Sequence, residues 1–341
     1  MQSIVYITSH NGTLNNNSDV LFYKDYKGNV VKLLPDKVKE IVLIGRTTIT
    51  SGAYSLLFRH KIDVVFLSAT GRYISRLVYL DNKNTFLRHQ QHLICADECK
   101  SLSIAKDIVG GKLHNQYLYL QRIARKNGDE NGKIGRALED FSFVRRRLEK
   151  VKRKRGLLGL EGDGSRIYFS CLGENITCGW TGFETRSRKP PLDPVNAVLS
   201  LLYTILTNRI CGYLHFSGLD TGIGNLHSIS YGRESLACDL VEEFRTPIVD
   251  TLTCSLFNLG VLKKEHFREE QLPKGNKTAV LLNEEGYKKA LGQFEKKLME
   301  THVYPLNGKT LSYDAILQEQ IEQYKKVISG IEEHYKPLIV T

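Results

Sequence analysis

The chain has no CxxC pair, no clean apolar run of membrane-spanning length, no opening that reads as a signal peptide and no internal repeat or low-complexity tract. Each absence removes a class of protein. The seven cysteines (95, 99, 171, 178, 211, 238 and 254) are odd in number. Cys95 and Cys99, four apart on one helix face, could form half of a metal site. No second pair of His or Cys follows at zinc spacing, so buried reduced thiols in a cytoplasmic protein are expected. The longest clean apolar stretch, AVLSLLYTIL (197–206), falls short of the roughly 20 residues that cross a bilayer. No amphipathic lipid-binding helix stands out, so no membrane partner is expected. The opening MQSIVYITSHNG lacks the basic start and apolar core of a signal peptide. Negative charge is also short: 37 Asp and Glu against 48 Lys and Arg leave +11 over 341 residues. Such an excess suits a polyanion, whose condensed counterions are released when Lys and Arg replace them.

What is present divides in two. Up to about residue 80, Val, Ile, Tyr and Phe dominate short runs: SIVYIT (3–8), DVLFYKD (19–25), NVVKLL (29–34), VKEIVLIG (38–45), DVVFLSA (63–69) and ISRLVYL (74–80). Turns at 27–29 and 70–72 separate them, with one helix at 51–60. This predicts a small antiparallel β domain of two packed sheets over residues 1–84. From 85 to 341 apolar residues recur at three- and four-residue spacing, so a large all-helical domain is expected, with Gly110-Gly111 as a kink. The fold class is therefore α+β.

Three stretches could carry chemistry. In SLACDLVEEF (235–244), Leu236, Leu240, Val241 and Phe244 form an apolar stripe, and Asp239, Glu242 and Glu243 lie on other flanks. Ser235 suits an N-cap. Solvated acids near a helix start are the plain account; carboxylates with nearby His227 as Mg2+ or Mn2+ ligands are the other. RRRLEKVKRKR (145–155) places eight cations in eleven positions, read as one helix contacting nucleic-acid backbone. Just beyond it, Glu161 sits between Gly159 and Gly162, either a helix-terminal acid or a ligand. A proline-bounded loop then offers Arg186, Arg188 and Lys189 to phosphates.

Four blocks stand in order: G-x-E-G-x-x-x-R-x-Y-F (159–169), G-F-E-x-R-S-R-x-P-P-x-D-P-V-N (182–196), G-L-D-x-x-x-G-x-L-H (218–227) and G-R-x-S-L-A-x-D-L-x-E-E-F-R (232–245). With HKIDVVFLSATGRYISRL (60–77), they resemble the CRISPR-associated integrase–endonuclease family of spacer acquisition ("Cas one") over nearly the whole chain. The resemblance implies a dimerising β domain and a helical catalytic domain. It implies Mg2+ or Mn2+ held by Glu161, His227 and Glu242, with Asp239 a neighbouring catalytic acid and Glu243 left on the surface. The expected partners are double-stranded DNA (a captured fragment and the CRISPR repeat), a second copy of the chain, and a small adaptation protein ("Cas two") completing a heterohexamer. The expected reaction is insertion of captured fragments by 3′-hydroxyl attack on a repeat phosphodiester. DNA contacts are expected from Arg145, Arg146, Lys152, Arg153, Arg155, Arg166, Arg186, Arg188, Lys189, Arg233 and Arg245. One departure is visible: the family's proline after Arg245 is replaced by Thr246-Pro247. A general metal-dependent nuclease or branched-DNA resolvase, and a non-catalytic DNA-binding scaffold, remain as alternatives.

Overall fold

The computed structural model describes residues 3–9, 11–78, 84–271 and 278–340. The N-terminal elements are β1 (Ser3–Ile7), β2 (Gly12–Asn17), β3 (Val20–Lys24), β4 (Val30–Leu33), β5 (Val38–Ile44), β6 (Thr47–Ile49), α1 (Ser51–Arg59), β7 (Asp63–Leu67) and β8 (Tyr73–Leu77). Helices α2 (Thr85–Ala96), α3 (Glu98–Asn127), α4 (Lys133–Arg147), α5 (Lys154–Leu172) and α6 (Pro194–Ser217) follow. Then come α7 (Ser235–Leu240), α8 (Glu242–Phe244), a π-helical segment Arg245–Asp250 and α9 (Thr251–Asn258). The chain closes with β9 (Phe267–Gln271), β10 (Thr278–Leu282), α10 (Glu284–Met299), β11 (Thr301–Val303), β12 (Thr310–Ser312) and α11 (Tyr313–Ile328).

Contacts divide the chain into two units, Met1–Asp81 with Glu265–Leu291, and Asn82–Lys264 with Gly292–Thr341. In the first, two four-stranded sheets run in the orders β1-β5-β7-β8 and β4-β3-β2-β6. Leu14 and Leu21 of one sheet share a core with Ile41, Leu43 and Val64 of the other, and with Leu56 and Leu57 of α1. The two packed sheets are thus as expected, but their pairing is mixed rather than antiparallel. β1 with β5, β5 with β7, and β2 with β6 all pair in parallel. Parallel neighbours need a crossover connection, and α1 with β6 supplies the one between β5 and β7. The continuous apolar run Ile41–Ile44, buried throughout, marks β5 as a central strand. Asn82 and Lys83, where the texture of the sequence changes, and the last two residues of the strand expected at 74–80 lie outside the described residues.

The expectation of helix to the C-terminus misses four strands, β9 to β12. Residues 265–291 return to the first unit, where Tyr287 donates its hydroxyl to the Ala69 carbonyl at 3.2 Å. Their strand pattern is short and flanked by charge (FREEQ, TAVLL), which periodicity alone reads poorly.

The second unit is built on α3, which runs for 30 residues without a break at Gly110-Gly111. Gly111 answers to packing: a Cβ there would lie 2.5 Å from Pro337 Cβ in the C-terminal segment. The basic stretch expected as one helix is split, because α4 ends at Arg147 and α5 begins at Lys154. Phe141 of α4, Leu113 of α3 and Leu157 of α5 are fully buried in this helical core. α6 starts with Asp193 capping the Asn196 N–H at 2.8 Å and stops at Gly218 in the left-handed region. Its 24 residues match the long apolar helix that residues 195–216 suggest, and it is long and apolar enough to cross a membrane. Some 78% of its apolar window is nevertheless buried inside the fold. A helix apolar all round is accounted for by packing on several sides.

Replacing Gly by Ala within a helix normally stabilises by up to about 1 kcal/mol. Gly110→Ala follows that rule, since its Cβ meets only the flexible Leu148 Cδ2, at 3.3 Å. Gly111→Ala instead destabilises by about 1–3 kcal/mol through overpacking against Pro337, read as a lowered midpoint in chemical denaturation.

Candidate metal and DNA site

The loop between α6 and α7 forms the platform of the site. Gln91 of α2, fully buried, donates to the carbonyls of Asp220 and Ile223, both at 2.8 Å, and accepts the Asp220 N–H at 2.9 Å. Tyr324 of α11 donates to Asn225 Oδ1 at 2.7 Å. So tied, the loop turns its amides onto Asp239. Asp239 Oδ2 accepts the N–H groups of Asn225 (2.6 Å) and Leu226 (2.9 Å), and Oδ1 accepts that of His227 (3.0 Å). Oδ1 also meets His227 Nδ1 at 2.7 Å. Only glycine fits at 224, where a Cβ would come 2.6 Å from Asp239 Oδ2. With both oxygens engaged, Asp239 acts on the imidazole: it holds the proton on Nδ1 and leaves Nε2 as the nitrogen able to meet a cation.

Glu161 and Glu242 converge from different helices. Glu161, mid-helix in α5 rather than at a terminus, accepts Ser165 Oγ at 2.9 Å and the Lys112 ammonium through Oε1. Glu242 Oε2 lies 2.7 Å from the same Lys112 Nζ, and its Oε1 lies 3.2 Å from Arg245. Glu242 is 4% exposed and Lys112 2%. Burial alone would push the Glu242 carboxyl up, yet Arg245 and Lys112 hold it down to about 2. Glu242 Oε2 is also a buried atom without a hydrogen-bond partner, its approach to Lys112 being an ion pair without hydrogen-bonding geometry. A Cβ at Gly159 or Gly162 would meet nothing within 4 Å, so those faces of α5 are open.

Among the described residues, no three of His, Cys, Asp and Glu form a ready-made metal cage. The donor set still fits a divalent ion: two carboxylates already converge on one cation, and Asp239 on Nδ1 leaves the imidazole Nε2 free to donate. The residues able to hold it are Glu161, Glu242 and His227.

The solvated-acid account of residues 235–244 does not hold, since Asp239, Glu242 and Glu243 are all buried. Ser235 is not the N-cap; Glu234 takes that place, and Ser235 Oγ donates to the Ser228 carbonyl at 3.0 Å. Glu243 was expected at the surface and is instead fully buried. It accepts the Tyr335 hydroxyl and the Leu338 N–H, each at 2.6 Å, and Gln320 Nε2 at 3.1 Å. Consecutive residues on a helix point about 100° apart, so Glu242 faces the site while Glu243 anchors the C-terminal segment. Thr246 and Pro247 fall in the π-helical segment, which takes up an extra residue without moving Glu242 and Arg245 off the site.

The basic residues sort by environment. Arg147, Lys150, Lys152, Arg153 and Arg155 line an open cavity at the α4–α5 break, with Val151, Gly156 and Leu160. Leu160, the last of its lining residues, precedes Glu161 in sequence, but neither Glu161 nor Glu242 lines the cavity. Arg147 and Lys150 belong to the basic stretch 145–155 but are not among the individual DNA contacts expected from it, and both line this cavity. Arg145 is committed locally, 2.8 Å from His114 Nδ1 and over the Tyr117 ring. Arg146, Arg188, Lys189 and Arg233 are exposed; exposed Arg166 pairs with Asp163. Arg186 turns inward, donating to Asn196 Oδ1 at 2.7 Å and Ser200 Oγ at 3.0 Å, with burial and then neighbouring Arg188 pulling its pKa down to about 10. Arg245 lies over the Tyr203 ring beside Glu242. Lys112 left no signal in the sequence, its neighbours in GGKLHN carrying no motif.

Solved structures share this architecture. A casposase bound to integration product matches with a TM-score of 0.87 at 21% identity, over 98% of this chain and 93% of that one. A CAS1 protein from Thermotoga maritima matches with 0.81 at 22% identity, over 98% and 99%. A chain of a Cas6-RT-Cas1--Cas2 complex gives 0.85 at 24% identity; the present chain spans only 36% of its length. These likenesses define an α+β fold of the CAS1 and casposase class. The family model for CRISPR associated protein Cas1 matches residues 5–296. CRISPR-associated endonuclease Cas1 3 of Thermus thermophilus is 31% identical over 340 residues, 99% of this chain and 97% of that protein. CRISPR-associated endonuclease Cas1 1 of Moorella thermoacetica is 30% identical over 303 residues, 88% and 87% of the two chains. The chain belongs to the Cas1 family.

Burial, opposed by the Tyr335 and Gln320 hydrogen bonds, raises the Glu243 carboxyl from 4.5 to about 7. Between those values the folded chain keeps a proton that the unfolded chain has lost, so this group's contribution to stability falls as pH rises from about 4.5 to 7. Glu243→Gln removes that part of the slope, measured as unfolding free energy at pH 5 and pH 7.5. An unchanged slope refutes the assignment.

Proposed function

We propose that this chain is a metal-dependent DNA endonuclease and integrase that inserts captured DNA fragments into a CRISPR array. The observation that carries the reading is the meeting of Glu161 and Glu242 on the Lys112 ammonium in the unit that also holds an oriented histidine, with a basic cavity at the α4–α5 break. The reaction class is suggested by the relatives' being endonucleases and by the integration product bound to the structurally similar casposase.

In this reading Glu161, His227 Nε2 and Glu242 hold Mg2+ or Mn2+, which when bound neutralises charge developing on the phosphate under attack. The chain's own groups do the rest. Asp239 keeps His227 in one tautomer and orientation, and Arg245 fixes the Glu242 carboxylate from its far side. Arg147, Lys150, Lys152, Arg153 and Arg155 draw the DNA backbone along the α4–α5 cavity toward Glu161, with Arg188 and Lys189 as further phosphate contacts. The fragment's 3′-oxygen bonds to a repeat phosphorus as the repeat strand's 3′-oxygen leaves; with water as nucleophile the same geometry cleaves. The protein works in the cytoplasm as a homodimer joined through the β unit, two dimers pairing with a dimer of a small adaptation partner in a heterohexamer.

Glu161→Ala, His227→Ala and Glu242→Ala each lower Mn2+-dependent cleavage and fragment joining by about a hundredfold or more while the chain stays folded. The assay is joining of a labelled fragment to a supercoiled repeat-bearing plasmid. Cleavage without joining selects the plain nuclease or resolvase, and chemistry untouched by all three variants selects the scaffold. Lys152→Glu with Arg153→Glu and Arg155→Glu flattens the dependence of log affinity on log salt by about one unit per lost phosphate contact. A salt slope equal to that of the unaltered protein excludes the cavity as the DNA path.

A further inference from the structure

The groove between α3, α5 and α8 contains a cation of the protein's own. Lys112 reaches it from α3, and its Nζ contacts Glu161 Oε1 and lies 2.7 Å from Glu242 Oε2, at 2% exposure. A fully buried lysine without other acceptors is rare, because desolvating an ammonium is costly unless anions surround it. The backbone that carries it is held in place: Asn115, one turn on, donates to the carbonyls of Glu243 and Leu338, both at 2.9 Å. Lys112 is therefore aimed at the two carboxylates by the same packing that positions Glu242.

We propose that Lys112 is the resident cation of the metal-free site, holding Glu161 and Glu242 together until a divalent ion displaces its ammonium. This rests on the assignment of the two carboxylates as ligands made above. One position between two carboxylates cannot hold an ammonium and a divalent ion together, since like charges at such separations repel strongly where water is scarce. Binding of metal is thus an exchange, and the affinity measured is the intrinsic affinity reduced by the ammonium's hold on the pair. The four-carbon stem of lysine lets the displaced charge swing aside without moving α3, and a DNA phosphate entering beside Glu161 offers it a new acceptor.

The test is Mn2+ binding to the full-length chain, followed by calorimetry and by the paramagnetic signal of free ion at constant ionic strength. Lys112→Met binds Mn2+ about tenfold more tightly than the unaltered protein and melts lower in EDTA, the difference in melting shrinking as Mn2+ is added. Lys112→Arg, which keeps the charge, shows no gain in affinity. Equal or weaker Mn2+ binding by Lys112→Met overturns the proposal. Should that variant fold only with metal, the exchange is shown in its extreme form through melting temperature against Mn2+ concentration. A second measurement needs no destabilising change: with 13C-labelled lysine, the Lys112 Cε signal, identified by its loss in Lys112→Arg, shifts as Mg2+ saturates the site. A signal indifferent to Mg2+ also overturns it. Glu161→Gln and Glu242→Gln separate the two readings. If neither alters Mn2+ binding, the ligand assignment itself is wrong; if both weaken it and Lys112→Met does not tighten it, only the role of Lys112 falls.

Discussion

Two carboxylates and an ammonium, delivered by α5, α8 and α3, meet where little water reaches, and much of the helical unit is arranged to keep them there. Each charge would be costly to bury alone. Together they are tolerable, and their mutual attraction is strong because the surroundings screen it weakly. The arrangement sets demands on the neighbouring backbone: α3 must stay straight past Gly110-Gly111, and Arg245 must stay beside Glu242 although Thr246 and Pro247 follow it. The π-helical segment and the close contact of Gly111 with Pro337 meet those demands.

A second layer of constraint comes from hydrogen bonds that look merely structural. Asp239 collects three backbone N–H groups and the imidazole of His227, so one buried carboxylate both closes the loop after α6 and orients the histidine. Glu243 does the equivalent for the C-terminal segment, receiving Tyr335 and Leu338 on a neighbouring face of the helix, about 100° round from Glu242. Three adjacent acids thus have three different tasks, set by the direction each side chain leaves the helix and by what it meets there. The basic side has a similar logic: the break between α4 and α5 gathers five cations into one cavity, where an unbroken helix would have scattered them around its circumference.

Much of this was legible in residue order. The β-to-helix change near residue 84 and the two packed sheets follow from local pattern, and the motif blocks pointed to Glu161, His227 and Glu242 through their resemblance to a known family. Parallel pairing in the sheets was not legible, because strand direction depends on how crossovers route, and alternation looks alike in either sense. The return of residues 265–291 to the first unit was hidden for a related reason: short strands bounded by charges carry little periodic signal. Ser235 looked like a helix cap and Glu243 like a surface acid because helix-wheel reasoning assumes one buried face, whereas this helix is enclosed on nearly every side.

The amino-acid order alone determined that the chain carries excess positive charge for a polyanion, and through its family resemblance it named Glu161, His227 and Glu242 as candidate cation ligands. It could not assign Arg186 to the interior, Asp239 to the histidine or Lys112 to the carboxylates. Those outcomes rest on contacts between residues 10 to more than 120 positions apart, such as Arg186 with Asn196 and Lys112 with Glu242. Burial and partnership of a charged group are properties of its whole surroundings, and those exist only once the helices have packed.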